Sequence, residues 1–306
     1  MADLQDLLVK TSRTFALSIP RLPEPTRGAV TIAYLLFRIA DTFEDAATWP
    51  RAQRVAALAS LEGLLDDPDA ARAAAEALAA TWVEAVPIDH AGYQELLRET
   101  PAVLEAYFAL PEATRACVRH HTVRTAEGMA GFVVRTDDDG ELQLRDLDDL
   151  RHYCYIVAGI VGELLTDLFL LHHDNLSAVA APLEARARAF GEGLQLVNIL
   201  RDAAFDATEG RSYLPASVTR DQLFALARRD LDRATEYVHT LQDAGGPSGV
   251  VAFTALPVLL AYATLDRVEA DGPGAKVDRA TVVRLSTALD ADLEATRPVI
   301  RRAPSA

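Results

Sequence analysis

The sequence predicts an all-α fold, and three observations favour it. The 306 residues include only 16 glycines and 15 prolines, and half of the chain is hydrophobic, which is typical of helices around a large core. Apolar residues recur at helical spacing through nearly every segment. No stretch of useful length alternates between apolar and polar residues as a strand does. We therefore expect a single domain, residues 1–306, of about ten helices.

The predicted helices follow one another with turn residues between them. Pro101 is expected to kink or break the fourth helix, and Asp146 or Asp148 to cap the sixth. The segments DAGGPSG and ADGPGAK indicate helix connections and not domain linkers. The helices are predicted over residues 27–46, 51–65, 69–84, 90–109, 111–135, 148–173, 182–207, 219–243, 248–269 and 278–300.

The charge and cysteine content restrict the partners and the compartment. The net charge is −15, which argues against nucleic acid because phosphate binding needs a basic surface. Cys117 and Cys154 are predicted to be free thiols in a reducing compartment. The N-terminus lacks a signal peptide, and the apolar run 250–265 is too short to span a bilayer comfortably, which indicates a core helix. We predict a cytoplasmic protein, with peripheral membrane contact left open.

The segment RIADTFEDAA carries three acids at the end of an apolar helix. Asp41 and Asp45 are one turn apart and share a face, with Glu44 and Arg38 beside them. Like charges at this spacing repel, and burial raises the cost. This face therefore lies in water or binds a cation.

A second polar stripe lies on a helix that is otherwise apolar. The stripe consists of Gln195, Asn198, Asp202 and Asp206. Because a helix that is apolar nearly all round is normally buried, we expect the stripe to be buried or half-buried and to need partners. Salt bridges to Arg201 and Arg211 are one way to satisfy its carboxylates.

Two Asp-x-x-x-Asp pairs on apolar helices indicate a metal site for an anionic substrate. Carboxylate oxygens suit Mg²⁺, which fills its shell with water and phosphate oxygens. The metal ligands are predicted to be Asp41, Glu44, Asp45, Asp202 and Asp206. Arg38, Arg201 and Arg211 would neutralise a leaving diphosphate. A di-iron bundle fits less well, because His120, His121, His172 and His173 do not follow a glutamate at the Glu-x-x-His spacing.

The sequence resembles the squalene and phytoene synthase family, the head-to-head prenyl diphosphate synthases, and within it the bacterial-type squalene synthases. Five blocks carry the resemblance in the family's order. The block at 253–265 is closer to squalene synthases than to phytoene synthases. The blocks are SRTFALSIPRLP, YLLFRIADTFED, YCYIVAGIVGEL, QLVNILRDAAFDATEGRSYLP and FTALPVLLAYATL.

The resemblance implies an isoprenoid-synthase bundle around a central cavity and a reaction in two stages. Two molecules of farnesyl diphosphate would condense head-to-head, with Mg²⁺, to presqualene diphosphate. Hydride from NADPH would then give squalene. NADPH rests on the resemblance alone, since no Gly-x-Gly-x-x-Gly follows a strand.

The resemblance also implies roles for individual residues. Tyr153 would steer proton loss, and Asn198 and Arg211 would contact NADPH. Gly159 and Gly162 would let helices approach closely. The substrate contacts would come from Ser12, Arg13, Phe15, Tyr34, Arg38, Val157, Ala158, Val161, Leu165, Gln195, Asn198, Arg201, Arg211 and Tyr213.

Two positions depart from the family pattern and leave the product open. Phe205 stands where family members often carry glutamate, and Tyr155 where squalene synthases often have histidine. The alternatives are an enzyme that stops at presqualene diphosphate, one that makes dehydrosqualene or phytoene without NADPH, a class I terpene cyclase, and a non-enzymatic assembly factor. The sequence sets neither the C15 or C20 chain length nor the oligomeric state.

Overall fold

The computed structural model describes residues 3–12, 14–46, 48–85, 87–137, 142–208 and 211–301, without the side chains of Asp206 and Arg211. The protein is all-α, as the composition predicts, apart from one pair of two-residue strands in the described residues. It divides into two compact units, residues 1–19 with 24–142 and residues 20–23 with 143–306. The expectation of a single domain stays a prediction.

The first unit contains eight α-helices among its described residues, and aromatic rings fill its core. The ring of Phe43 lies 5.9 Å from that of Trp49 and 4.7 Å from that of Trp82, and all three are buried. The helices are α1 (Leu4–Thr11), α2 (Phe15–Ser18), α3 (Thr26–Glu44), α4 (Arg51–Gly63), α5 (Pro68–Glu84), α6 (Ala91–Arg98), α7 (Thr100–Phe108) and α8 (Glu112–Val134).

The predicted helix 90–109 is two helices, α6 and α7, that meet at Glu99. Pro101 lies in the first turn of α7. A proline there removes no helical hydrogen bond, because the first amides of a helix have no partner within it. Of the two predicted outcomes at Pro101, a kink or a break, the structure shows the break.

The second unit begins within the strand β1 (Leu142–Gln143), which pairs with β2 (Arg211–Ser212). The first helix of this unit is capped by Asp146, whose Oδ1 accepts a hydrogen bond from the amide of Asp149 at 2.9 Å. Of the two predicted caps, Asp146 and Asp148, the cap is therefore Asp146. Its helices are α9 (Leu147–Cys154), α10 (Ile160–His172), α11 (Ala180–Thr208), α12 (Arg220–Asp243), α13 (Ser248–Asp271) and α14 (Arg279–Glu294).

The prediction of one regular helix over 148–173 is wrong in its middle. A π-helical turn at Tyr155–Gly159 separates α9 from α10. Helix α14 also ends at Glu294 and not at residue 300. Thr296 adopts a left-handed conformation with φ of 51°, and the amide of Arg297 donates to the carbonyl of Asp292 at 2.8 Å. This backbone reversal closes the helix early.

Helices α10 and α11 cross with their backbones in contact. A Cβ atom added at Gly162 would lie 1.9 Å from the carbonyl oxygen of Ala187, and one at Gly191 would lie 1.9 Å from that of Ala158. Only glycine fits such a crossing. The predicted close approach at Gly162 is confirmed.

Two helical stretches are long and apolar enough to cross a membrane, Leu147–His172 and Ser248–Asp271. Of their most apolar windows, 56% and 72% respectively are buried inside the protein. The second stretch contains the run 250–265, whose side chains are mostly buried, as predicted for a core helix. Cys117 and Cys154 are free thiols, also as predicted.

Candidate functional site

The carboxylates at the end of α3 differ in their access to solvent. The side chain of Asp41 is 31% exposed and Asp45, which caps the helix, is half-buried. Glu44 is buried, at 5% exposure. A metal that also contacts a substrate needs ligands within reach of the solvent. The two aspartates therefore fit the predicted metal role, whereas the burial of Glu44 does not favour direct contact with an ion.

Arg38 lies between two phenol rings beside Asp41. Its Nη1 atom donates a hydrogen bond to Asp41 Oδ2, and its Cζ atom lies 5.6 Å from the ring centre of Tyr34 and 5.3 Å from that of Tyr93. Burial opposes the positive charge, but Asp41 and the two phenols outweigh it and raise the pKa of Arg38. The guanidinium is thus a fixed cation next to the acidic pair.

The ring of Tyr34 is itself held in place. Its hydroxyl donates to the carbonyl of Thr11 at 2.7 Å, and its ring lies 5.7 Å from that of Phe15. Ser12 accepts a hydrogen bond from the amide of Phe15 at 3.0 Å, so its hydroxyl is engaged in the local turn. Arg13, predicted to contact diphosphate, lies outside the described residues.

Sequence reasoning missed Tyr93, which comes from α6. The ring of His90 stacks on the Tyr93 ring with 4.0 Å between ring centres. Tyr93 therefore contacts both His90 and Arg38. Burial raises the pKa of the Tyr93 phenol, with Asp41 and Asp45 among the further causes. Tyr93 belongs to none of the recognised blocks, and only the packing of α6 on α3 brings it to the acidic pair.

The polar stripe on α11 is more open than predicted. Asn198 is exposed and Gln195 is half-buried, so the expectation that the whole stripe is buried or half-buried is wrong at Asn198. Asp202 accepts a hydrogen bond from Nε of its neighbour Arg201 at 2.8 Å. The carbonyl of Arg201 accepts from the amide of Gly274 at 2.6 Å. The side chains of Asp206 and Arg211 are outside the described part of the chain.

Tyr153 stacks on Tyr213, with 4.7 Å between ring centres and 24° between ring planes. Both rings are buried, at 4% and 9% exposure. The structure therefore brings together two of the predicted residues that lie in different blocks. Of the predicted apolar contacts, Val157, Ala158 and Val161 are half-buried and Leu165 is buried.

Each acidic segment, taken by itself, offers donors that fit Mg²⁺ and phosphate oxygens. Asp41, Asp45 and Asp202 offer carboxylate oxygens that remain partly exposed, and hard oxygen ligands suit this ion. Arg38 and Arg201 place a guanidinium beside each acidic pair, and guanidinium forks match phosphate oxygens. That the two acidic pairs serve one substrate stays a prediction.

The chain has recognisable relatives in sequence. The profile of the squalene/phytoene synthase family matches residues 8–225. The squalene synthase ERG9 of Candida albicans is 28% identical over 290 residues, which cover 86% of this chain and 60% of that protein. The squalene synthase of Schizosaccharomyces pombe is 31% identical over 219 residues, or 69% of this chain and 43% of that one. The chain thus spans about 60% of the length of the first of these relatives, and less of the second.

Solved structures agree with the observed fold. A complex of TcSQS with the ligand E5700 matches with a TM-score of 0.75 at 26% identity, over 96% of this chain and 87% of that chain. A dehydrosqualene synthase complex matches with a TM-score of 0.58 at 20% identity, over 95% of each chain, and supports the fold alone. The fold is that of the all-α isoprenoid synthases. Because the family profile covers most of its length, the chain belongs to the squalene/phytoene synthase family.

Proposed function

We propose that the protein is a Mg²⁺-dependent prenyltransferase that condenses two molecules of farnesyl diphosphate head-to-head. The observation that carries the proposal is the arginine–aspartate pair on each acidic helix, Arg38 with Asp41 and Arg201 with Asp202. Each pair offers a carboxylate for a divalent cation and a guanidinium for phosphate oxygens. Membership of the family and the names of the relatives support the substrate.

In this proposal the acidic pairs hold the metal and the arginines hold the leaving group. Asp41, Asp45, Asp202 and Asp206 would bind Mg²⁺, which when bound offsets the negative charge of the departing diphosphate. Arg38 is already oriented by its two ring contacts, so little order is lost when it meets phosphate oxygens. An acidic protein would thereby bind an anion without a broadly basic surface.

Tyr153 would act on the hydrocarbon end of the substrate. Its stacking on Tyr213 fixes the ring, so the phenol oxygen keeps one direction in a largely buried setting. We propose that it directs proton loss to the departed diphosphate as the cyclopropane of presqualene diphosphate closes. Tyr153→Phe should lower kcat by about 100-fold while KM changes little, the size expected for a group that aids proton transfer. An equal loss in a matched Tyr213→Phe variant would speak against a special role of the Tyr153 hydroxyl.

The finer proposal is a second stage in which presqualene diphosphate loses diphosphate and takes hydride from NADPH, giving squalene and NADP⁺. Asn198 is exposed and so accessible to a second substrate. The product would be strongly apolar, and a peripheral contact with a bilayer would receive it.

Product analysis tests both stages. The protein is incubated with farnesyl diphosphate and Mg²⁺, with and without NADPH, and the products are identified by mass spectrometry; EDTA and Asp41→Asn serve as controls. Squalene formed only with NADPH supports the full proposal. Presqualene diphosphate in both arms limits the enzyme to the first stage, and dehydrosqualene in both arms means that the second diphosphate leaves and a proton is lost without reduction. Phytoene in a parallel arm with geranylgeranyl diphosphate identifies a C20 substrate. Cyclic products identify a cyclase, and a folded protein with no turnover indicates an assembly role.

A further inference from the structure

The π-helical turn at Tyr155–Gly159 begins two residues after Tyr153. Such a turn holds one more residue than an α-helical turn, and it is often found at functional sites. Since each residue of an α-helix advances by about 100°, the extra residue rotates everything after it by about that angle. The direction of Tyr153 relative to Val157 and Val161 therefore depends on this turn.

Glu192 of α11 packs against the end of the π turn. A Cβ atom added at Gly159 would lie 3.4 Å from Cγ of Glu192. The neighbouring Gly191 allows the backbone of α11 to touch the carbonyl of Ala158. The Glu192 side chain is 1% exposed. A carboxylate is thus buried directly against the last residues of the turn.

Two arginines bind the two oxygens of this carboxylate. Nε of Arg188, one helical turn earlier on α11, lies 2.5 Å from Oε1. Nη2 of Arg151, on α9 before the π turn, lies 3.4 Å from Oε2. Glu192 therefore connects α11 with the helix segment that carries Tyr153.

Arg188 extends the network into the turn itself. Its Cζ atom lies 4.6 Å from the ring centre of Tyr155, the first residue of the turn. The hydroxyl of Tyr155 donates to Oε2 of Glu163 on α10 at 3.4 Å. The contacts of Glu192 and Arg188 thus reach residues before and within the π turn, and Tyr155 links the turn to α10.

The energetics favour a role in orientation over a role in stability. Burial raises the pKa of Glu192, the two arginines oppose this rise, and the buried Asp230 nearby adds to it. A buried ion pair gains little net stability, because the desolvation of both ions offsets their attraction. It does restrict the geometry, since any shift leaves a buried charge without its partner.

We propose that Glu192 is a positioning residue for Tyr153. By binding Arg151 ahead of the π turn, and Arg188 over Tyr155 within it, Glu192 holds the turn in one register and so fixes the direction of the Tyr153 phenol. The catalytic part of this inference rests on the proposed function. The proposal that Glu192 holds the π turn in one register does not depend on the proposed function.

The test compares Glu192→Gln with Glu236→Gln. Glu236 of α12 forms a surface ion pair with Arg186 of α11 at 2.8 Å, so it controls for the loss of one Glu–Arg pair to α11. Two quantities are measured: amide hydrogen exchange over residues 153–161, and kcat and KM for farnesyl diphosphate with Mg²⁺. For Glu192→Gln we expect exchange in the turn to rise about tenfold and kcat to fall about tenfold, with KM within about twofold. Glu236→Gln should change neither quantity.

Several outcomes overturn the proposal. Unchanged exchange in the turn does so, as does a rise spread evenly over α10 and α11, and so does a local rise without a change in kcat. If Glu192→Gln does not fold, Arg188→Lys, which keeps the charge and loses the planar contact with Tyr155, undergoes the same two measurements with the same expectations. If the unmodified protein does not turn over farnesyl diphosphate, the proposed function fails, and the exchange measurement alone decides whether Glu192 braces the turn.

Discussion

The two acidic segments carry the same chemical groups but hold them differently. On α3, Arg38 and Asp41 are three residues apart, and the arginine lies against rings from α3 and α6. On α11, Arg201 and Asp202 are sequence neighbours that pair with each other. The ring contacts of Arg38 join two helices, whereas the Arg201–Asp202 pair lies within one. We infer that the first segment is the more preorganised, and four predictions test that difference.

The largest expected effect comes from the carboxylates, where the two segments should be alike. Asp41→Asn and Asp202→Asn should each lower the rate of diphosphate release by about 10²- to 10³-fold, because each removes a carboxylate proposed to hold the Mg²⁺ that offsets the diphosphate charge. Steady-state diphosphate release measures this. Stability should change by no more than about 1 kcal/mol, since both aspartates pair near the surface.

The controls for these variants are surface aspartates with their own arginine partners. Asp66 pairs with Arg119 in the first unit, and Asp271 pairs with Arg267 in the second. Asp66→Asn and Asp271→Asn should keep full activity. Full activity in either Asp41→Asn or Asp202→Asn would remove that segment from the proposed metal site.

The arginines should separate the two segments. Arg38→Lys should cost about 10- to 30-fold in kcat/KM, because lysine lacks the guanidinium that donates to Asp41 and contacts the rings of Tyr34 and Tyr93. Arg201→Lys should cost only about two- to fivefold, because lysine keeps the charge beside Asp202 and partly exposed pairs contribute about 1 kcal/mol or less. Equal losses would mean that the ring contacts add nothing, and the comparison would fail.

Tyr93 provides a finer test of the first segment. Tyr93→Leu should raise KM about fivefold, the effect of losing one cation–π contact of about 1 kcal/mol. Tyr93→Phe keeps the ring and should be close to normal. Burial and the neighbouring aspartates raise the phenol's pKa despite the opposing effect of Arg38, which favours the neutral hydroxyl. The pH–rate profile of Tyr93→Phe should therefore match that of the unmodified protein up to pH 9, and a shifted profile would show that the hydroxyl ionises.

The smallest effect is expected in the second segment, at Phe205. This side chain is 63% exposed, so its replacement loses little packing. Phe205→Glu should lower the Mg²⁺ concentration for half-maximal rate by about two- to fivefold, through one added charge near the acidic pair. Phe205→Gln is the matched neutral control. If both variants respond equally, charge is not the cause.

The sequence predicts most of the helices because their periodicity and caps are local. Asp146 and Pro101 mark element ends in the way that their chemistry requires. Local patterns do not predict the π turn, because YIVAG continues the apolar pattern of the residues around it. Only its packing against α11 distinguishes this segment from a regular α-helix. The early end of α14 escapes too, since threonine rarely adopts the left-handed conformation found at Thr296.

The residues of the candidate site also fall into two groups, those that sequence spacing predicts and those that only the packing of the helices reveals. Asp41, Arg38 and Asp202 follow from spacing, because i, i+3 and i, i+4 relations place side chains on one face. Tyr93 and Glu192 do not follow, because each acts on a residue far away in the chain. The burial that separates Glu44 from Asp41 depends on neighbouring helices, which periodicity alone does not describe.

The amide of Gly274 donates a hydrogen bond to the carbonyl of Arg201, so inherited or engineered substitutions at Gly274 would affect the backbone beside Asp202. Gly274 has φ of 85°, so alanine there would strain the backbone and loosen this link. The loop between α13 and α14 would then hold the backbone at Arg201 less firmly, next to Asp202. Sequence changes in that loop would alter turnover without altering a single group that touches the substrate.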